Sequence, residues 1–244
     1  MAPLHADEPP PTDPPPPPPK VGGGQLADPR GEAAAKPGAT APTEPAPVQD
    51  LGEGRFRVGL VRFDSKSRLI TVPATMHMRE GPVEYVLVTS QGKIHEAVFT
   101  SPINPRDLHV AALLLGMKPQ PDLGPDRAAA KAGEPGALKA WVEWDRNGPP
   151  AKLPLHEVVA VANPSAAAVA GTLAAGAWLY NGSITPAGGA FAASRSGSII
   201  SVIRDPDALI NYRGPSRDND EIHTPHAARL PKTGHPVRII LKVP

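Results

Sequence analysis

The side chains that could do chemistry are two histidines and two glutamates close together in the sequence: Glu84, His95, Glu96 and His109. Neutral imidazole and carboxylate groups are ligands of zinc and of other divalent cations. A histidine that is oriented by a carboxylate also serves as a general base. The group therefore predicts either a metal site made by His95, His109 and Glu84, for which hydrolysis is the most plausible reaction, or an acid–base pair.

The third ligand of such a site depends on strand geometry. Side chains alternate along a regular strand, so His95 and Glu96 would point to opposite faces. Both could serve one site only if a bulge intervened. Glu84 from a paired strand, or Glu80, is therefore the better third ligand.

The sequence favours a structural role for these four side chains. His109 lies among apolar residues, and a buried imidazole needs a hydrogen-bond partner. A strand carboxylate or a backbone group would supply that partner and hold a helix on a sheet without chemistry. The sequence thus predicts no catalytic residue, and His95, His109, Glu84 and Glu96 are the candidates if one exists.

Two β-hairpins are predicted ahead of any helix. Alternation from Arg55, a polar turn at 64–67 and an apolar run at 69–72 predict the first. Residues 83–89 and 93–100, which are rich in β-branched residues, flank a turn at 90–92 and predict the second. His95 and Glu96 would then lie on the return strand of the second hairpin.

A buried helix is predicted over residues 104–116. Asn104 is a suitable N-cap, Pro105 suits the first helical position, and Asp107 complements the dipole in the first turn. Gly116 is a typical stop. Because residues 108–115 are apolar except for His109, the helix should be largely buried.

The remaining elements complete an α+β prediction. Strands are predicted at 139–145, 175–180, 191–194, 198–203 and 237–243, a short helical turn at 205–210, and either a strand or a short helix at 155–161. Asn181-Gly182 indicates a hairpin turn. Since no β-α-β alternation occurs, we expect a mainly antiparallel sheet with one buried helix on one side.

The first 50 residues are predicted to be a disordered, proline-rich tether. Fifteen of the 34 prolines precede Val48, and a proline run favours an extended spacer over packed structure. A single folded domain should then cover residues 51–244. Within it, residues 118–138 are rich in Pro, Gly and Ala and are predicted to form a surface loop.

Composition excludes several classes of function. The 25 basic and 24 acidic side chains are intermixed, so no positive field favours a nucleic-acid partner. The absence of cysteine excludes disulfides, iron–sulfur clusters and cysteine-based zinc sites. No run of about 18 apolar residues is present, so no transmembrane segment is predicted.

Three other groups of residues have side chains that could form a site. A polar cluster is predicted to be a solvated loop, because its spacing fits neither an EF-hand nor two imidazoles on one helical face: Asp218, Asp220, Glu221, His223 and His226. The serines near residue 195 lack a Gly-x-Ser-x-Gly turn. Trp178 and Tyr180 could stack a ligand, although core packing is the commoner role.

An ordered set of sequence blocks resembles the YdjY-domain family of bacterial proteins. The blocks lie at 73–78, 84–88, 92–96, 108–116, 178–183, 197–200 and 205–211, and the resemblance spans residues 56–243. The family is functionally uncharacterised, and the resemblance implies export for many members. Its Gly-Lys-x-His-Glu block falls on residues 92–96 and its Leu-His block on Leu108 and His109. Relatives described as ferredoxin-like have a cysteine set that this chain lacks.

These observations predict a non-catalytic binding or scaffolding module of the bacterial cell envelope, with a protein or an envelope component as its partner. Leu4-His5-Ala6 before acidic residues is similar to the end of a signal cleavage site, so a periplasmic or secreted location is predicted. Two alternatives stay open. One is a cytoplasmic protein with a disordered tail, and the other is a metal-dependent hydrolase that uses the His/Glu group with zinc or another divalent cation.

Overall fold

The computed structural model describes residues 45–120, 136–146, 148–163, 166–176, 178–185 and 190–244. Most of the predicted tether (1–50) and of the predicted loop (118–138) lies outside these ranges, and both stay predictions. β-strands dominate the described residues. The two α-helices there are α1, Pro105–Leu114, and α2, Ala192–Ser196.

Fifteen strands are present in the described ranges. They are β1 Val48–Gly52, β2 Arg55–Val58, β3 Val61–Asp64, β4 Leu69–Met76, β5 Tyr85–Thr89, β6 Ala97–Ser101, β7 Ala137–Arg146, β8 Gly148–Pro154, β9 Val159–Asn163, β10 Ala166–Thr172, β11 Trp178–Tyr180, β12 Ser198–Ser201, β13 Ile210–Tyr212, β14 His223–Pro225 and β15 Pro236–Lys242.

Eight of these strands close into a barrel. Their order is β4-β15-β7-β11-β13-β12-β5-β6, and β6 pairs back with β4 through Thr75↔Thr100 and Met76↔Phe99. Along β4, the first three residues pair with β3 and the last two pair with β6 on the same edge. The hairpin β3–β4 is the first predicted hairpin, which is confirmed.

The predicted α+β fold is therefore wrong. A flat sheet would need a layer of helices to cover its apolar face, whereas a closed sheet buries that face against itself. Alternate residues of β4 and β15 fill this interior, among them Val72, Met76 and Ile239, each fully buried. The structure is a mainly β fold in which one helix covers an end of the barrel.

Helix α1 begins and ends close to the predicted residues, but its predicted burial is wrong. The Asn104 side chain accepts a hydrogen bond from the Arg106 amide at 3.0 Å, and Gly116 follows the helix with φ of 80°. Leu108 is buried, whereas Leu114 is 56% exposed. The helix therefore packs on the barrel with one face and exposes Leu113 and Leu114 of its last turn.

The inward face of α1 closes the barrel tightly. Leu108, Ala112 and the following Met117 line one internal space together with six barrel residues: Ile70, Leu138, Tyr180, Ile210, Leu241 and Val243. Its volume is about 10 Å³, which is the space of one water molecule at most. The barrel interior at this end is a packed core, so it offers no room for a ligand.

The predicted second hairpin is also wrong, because β5 and β6 are parallel. After the turn at 90–92 the chain runs back through a 3-10 turn, Ile94–Glu96, and begins β6 beside the start of β5. The antiparallel neighbour of β5 is β12 instead. Six of the eight barrel pairings are antiparallel, and the other two, β5–β6 and β12–β13, are parallel.

Several shorter predictions also differ from the structure. The strand predicted at 191–194 is wrong, because these residues lie in α2 and its cap. The hairpin predicted at Asn181-Gly182 is also wrong, because β11 pairs with β7 and β13. Residues 205–209 form turns without a helix, and Ile210 begins β13. The ambiguous segment 155–161 contains both a 3-10 turn and the start of β9. Strand β9 pairs with β10 and β14 in a separate three-stranded sheet.

Candidate functional site

Glu84 and Glu96 lie beside each other at one end of the barrel because β5 and β6 run in parallel. Glu84 immediately precedes β5 and Glu96 immediately precedes β6, and the Glu84 amide donates to the Glu96 carbonyl at 2.9 Å. Their carboxyl groups are close enough to repel each other when both are ionised. Burial, followed by the charge of Glu96, raises the pKa of Glu84, and the nearby Lys93 ammonium opposes that shift.

His95 joins this pair through the 3-10 turn. Its Nε2 lies 3.3 Å from Glu96 Oε1, and its side chain is 74% exposed. In a regular strand, His95 and Glu96 could have served one site only if a bulge intervened. The tight turn does this in place of a bulge, because neighbouring side chains in it do not alternate as they do along a strand.

A chain of hydrogen bonds lies beside this end of the barrel, and no local sequence pattern predicted it. Lys93 Nζ donates to the Tyr85 hydroxyl at 2.6 Å, and that hydroxyl donates to Asp205 Oδ2 at 3.0 Å. Tyr85 is fully buried, and burial raises the pKa of its phenol to about 12. The phenol therefore stays protonated at neutral pH and connects the turn that follows β5 to residue 205.

His109 lies in different surroundings. Its Nδ1 is 2.7 Å from the Tyr180 hydroxyl, and its ring centroid is 5.1 Å from that of Phe191. Burial, followed by the charge of Arg106, lowers the pKa of His109, so its imidazole is neutral at pH 7. The sequence predicted a strand carboxylate or a backbone partner, and the partner found is a phenol on β11.

The structure thus brings Glu84, Glu96 and His95 together and gives His109 a separate set of partners. Within the residues that the structure describes, no three His, Asp or Glu side chains are grouped as a metal ion requires. The two imidazoles share no hydrogen bond or ring contact in those ranges. Their metal-binding and acid–base roles stay predictions.

The polar cluster around residue 220 is only partly the solvated loop that was predicted. Asp218, Asp220 and Glu221 are exposed, and Asp218 lies 3.4 Å from the Arg204 guanidinium. His223 is instead fully buried on β14, with Nε2 3.0 Å from Ser216 Oγ. Burial lowers the pKa of His223 to about 4, although Asp220 acts in the opposite direction.

An open cleft of about 430 Å³ lies at the protein surface where β7 ends. Its walls are the last residues of β7 and the segment before β15: Trp144, Asp145, Arg146, Pro231, Lys232 and His235. The alternation at 139–145 placed Trp144 on a strand but could not show what faces it. Only the pairing of β7 with β15 brings the two segments together.

Neither α-helix in the described ranges, at ten and five residues, is long enough to span a membrane. The fold and these surface groups define a small β-barrel domain with one covering helix and an external cleft. The chain belongs to the YdjY domain family, whose sequence profile matches residues 61–242. This confirms the predicted resemblance. No curated protein and no solved structure shows a significant similarity to the chain.

Replacing Glu84 by glutamine is expected to stabilise the protein at neutral pH. A raised native pKa means that the folded state favours the protonated carboxyl, so stability is lost as pH rises through that pKa. The amide of glutamine can donate a hydrogen bond to the Glu96 carboxylate, and it removes the repulsion. We expect a melting temperature about 1–3 °C higher near neutral pH and a smaller gain in acid. Glu80→Gln, at an exposed neighbouring position, should change neither value. A lower melting temperature for Glu84→Gln would contradict the repulsion.

Proposed function

We propose that the protein is a non-catalytic binding module of the bacterial cell envelope, with its proline-rich N-terminal segment as a tether. The observation that carries the proposal is the external cleft, whose volume of about 430 Å³ is within the range of small-molecule sites. The barrel interior beneath α1 is packed, so binding would occur on the outside. Membership of the YdjY domain family is consistent with this proposal but supplies no activity.

The groups that line the cleft support binding more than proton transfer. Glu84, His95, Glu96 and His109 do not line it. His235 Nε2 is 3.2 Å from the Asp145 carbonyl, and the Asp145 carboxylate is bound to Arg238. Its only acid and its only imidazole are therefore already engaged in holding the walls together.

A metal-dependent hydrolase is the second candidate, and one observation favours it. His95, Glu96 and Glu84 are adjacent at the barrel edge, and His95 is exposed to solvent. Such a site would use zinc or another divalent cation with His95 and a carboxylate. His109 would then have no part in the chemistry, because it is paired with Tyr180 elsewhere.

Metal analysis of the purified full-length protein distinguishes the two candidates. We expect no stoichiometric metal, and we expect His95→Ala to keep the melting temperature of the parent because its imidazole is exposed. His109→Ala should melt at a lower temperature, since it loses the Tyr180 hydrogen bond and the Phe191 contact. Stoichiometric zinc that disappears in a folded His95→Ala variant would overturn the proposal.

The location is tested separately by cell fractionation. The gene is expressed with its natural upstream sequence in a bacterium, and the protein is followed by immunoblotting against periplasmic and cytoplasmic markers. The proposal expects the protein in the periplasmic or secreted fraction. Recovery with the cytoplasmic marker alone would contradict the envelope location and leave the cleft as a binding site of a cytoplasmic protein.

A further inference from the structure

We infer that the cleft binds its ligand through a carboxylate or phosphate group. The inference rests on the proposed binding function and names the chemical class that this same site recognises. It depends on the charges of the cleft, on the way its walls are held, and on the geometry of its cations.

The charges of the cleft sum to a positive value. Asp145 is its only acidic residue, and this carboxylate is bound by Arg238 through two hydrogen bonds of 3.0 and 3.2 Å. Arg146 and Lys232 are both exposed, and neither has an ion-pair partner within the described ranges. The carboxylate of Asp145 is paired with Arg238, so the cleft keeps two exposed cations that form no ion pair with another described residue.

The walls of the cleft are held in place by backbone contacts. The Met76 amide donates to the His235 carbonyl at 2.9 Å, and the Gly234 amide donates to the Met76 carbonyl at 2.8 Å. His235 Nε2 reaches the Asp145 carbonyl across the cleft at 3.2 Å. The loop that carries Lys232 is thereby fixed beside the end of β7, so the backbone segments that carry the two cations line one cleft before any ligand arrives.

Arg146 is oriented by an aromatic ring. Its guanidinium carbon lies 5.4 Å from the centroid of the Trp144 ring. A guanidinium on an aromatic face keeps its edge N–H groups free, and these match the paired oxygens of a carboxylate or phosphate. Lys232 supplies a second charge, while the ring of Pro231 gives an apolar surface for the body of the ligand.

The inference is tested by titrating the isotope-labelled full chain at low ionic strength and following backbone amide shifts by NMR. The probes are inorganic phosphate, glucuronate, glucose 6-phosphate and uncharged glucose. We expect the three anions to shift amides at 144–146 and 232–235, and glucose to shift none. Comparison of glucuronate with glucose 6-phosphate identifies which anion the site prefers.

Matched variants connect the shifts to the two cations. Arg146→Gln and Lys232→Gln should each weaken anion binding about fivefold or more, and the double variant more than either. Arg62→Gln removes an exposed guanidinium from β3, outside the cleft, and should bind like the parent. All variants should give unchanged circular dichroism, because the replaced side chains are exposed.

Two outcomes would overturn the inference. One is the absence of shifts with every anion at millimolar concentration. The other is binding of glucose as strongly as glucuronate with no loss in the double variant, and in that case the cleft would still be a binding site and the proposed function would stand. Failure of the proposed function itself appears in the metal analysis, which does not depend on the cleft.

Discussion

Gly197→Ala is expected to lower the free energy of unfolding by about 3 kcal/mol, from two costs that add. Gly197 follows α2 with φ of 76°, a conformation that costs a residue with a Cβ about 1 kcal/mol. An added Cβ would also lie 2.5 Å from the Cα of Gly92, which is backbone and cannot rotate away.

The neighbouring backbone has little freedom to relax. The Thr89 amide donates to the Gly197 carbonyl at 2.8 Å, and the Gly92 amide donates to the Thr89 carbonyl at 3.0 Å. Moving Gly92 away from a new methyl group would therefore disturb the end of β5. It would also displace the turn that places Lys93 and His95.

Urea unfolding of the parent and of two alanine variants tests this expectation. Gly234 has φ of 82° with nothing within 4 Å of an added Cβ, so Gly234→Ala measures the cost of the conformation alone, about 1 kcal/mol. The difference between the variants is the cost of the close contact. Equal losses at the two positions would show that the contact between Gly92 and Gly197 is not tight.

Acidification is expected to destabilise the fold by about 3 kcal/mol through His223 alone. The side chain is fully buried, and its pKa of about 4 in the folded protein lies well below that of an unfolded histidine. The folded state thus binds this proton less readily than the unfolded state. Stability is fully present above about pH 6.5 and is lost as pH falls toward the native pKa.

The physical cause is the cost of placing a charge in this position. His223 Nε2 contacts Ser216 Oγ, and Nδ1 has no hydrogen-bond partner within the described part of the chain. A second ring proton would therefore gain no acceptor there. Asp220 attracts the charged form but does not cancel the burial.

The free energy of unfolding, measured by urea titration at several pH values, checks the effect. His223→Gln keeps a polar group near Ser216 and should remove most of the slope between about pH 6.5 and 4. His95→Gln, at an exposed imidazole, should keep the slope of the parent. If His223→Gln also retains that slope, the acid sensitivity comes from other groups.

Elements with local signals could be predicted from the sequence. The cap at Asn104 and the stop at Gly116 define α1 within a single stretch of chain, and the apolar alternation at 237–243 defines β15. Barrel closure has no such signal. Closure depends on β15 lying between β4 and β7. It also depends on the parallel pairing of β5 with β6, and two strand-like segments that flank a turn look the same in sequence whether they form a hairpin or a parallel pair.

The same limit applies to the candidate sites. Glu84, His95 and Glu96 meet because they are near in sequence and lie just before two adjacent strands, so the sequence could single them out. The Lys93–Tyr85–Asp205 chain joins residues 120 positions apart, and the cleft joins the end of β7 to a loop before β15. Only the fold brings these groups together, and no local pattern marks them.

The position of β15 has a consequence for biosynthesis. This strand is translated after every other strand of the barrel, yet it pairs along its whole length with β4 and through five residues with β7. Until it leaves the ribosome, both neighbours have exposed edges that could pair with other chains. The barrel therefore cannot close before β15 has emerged, and chaperones that shield strand edges are expected to matter more for its yield than for its final stability.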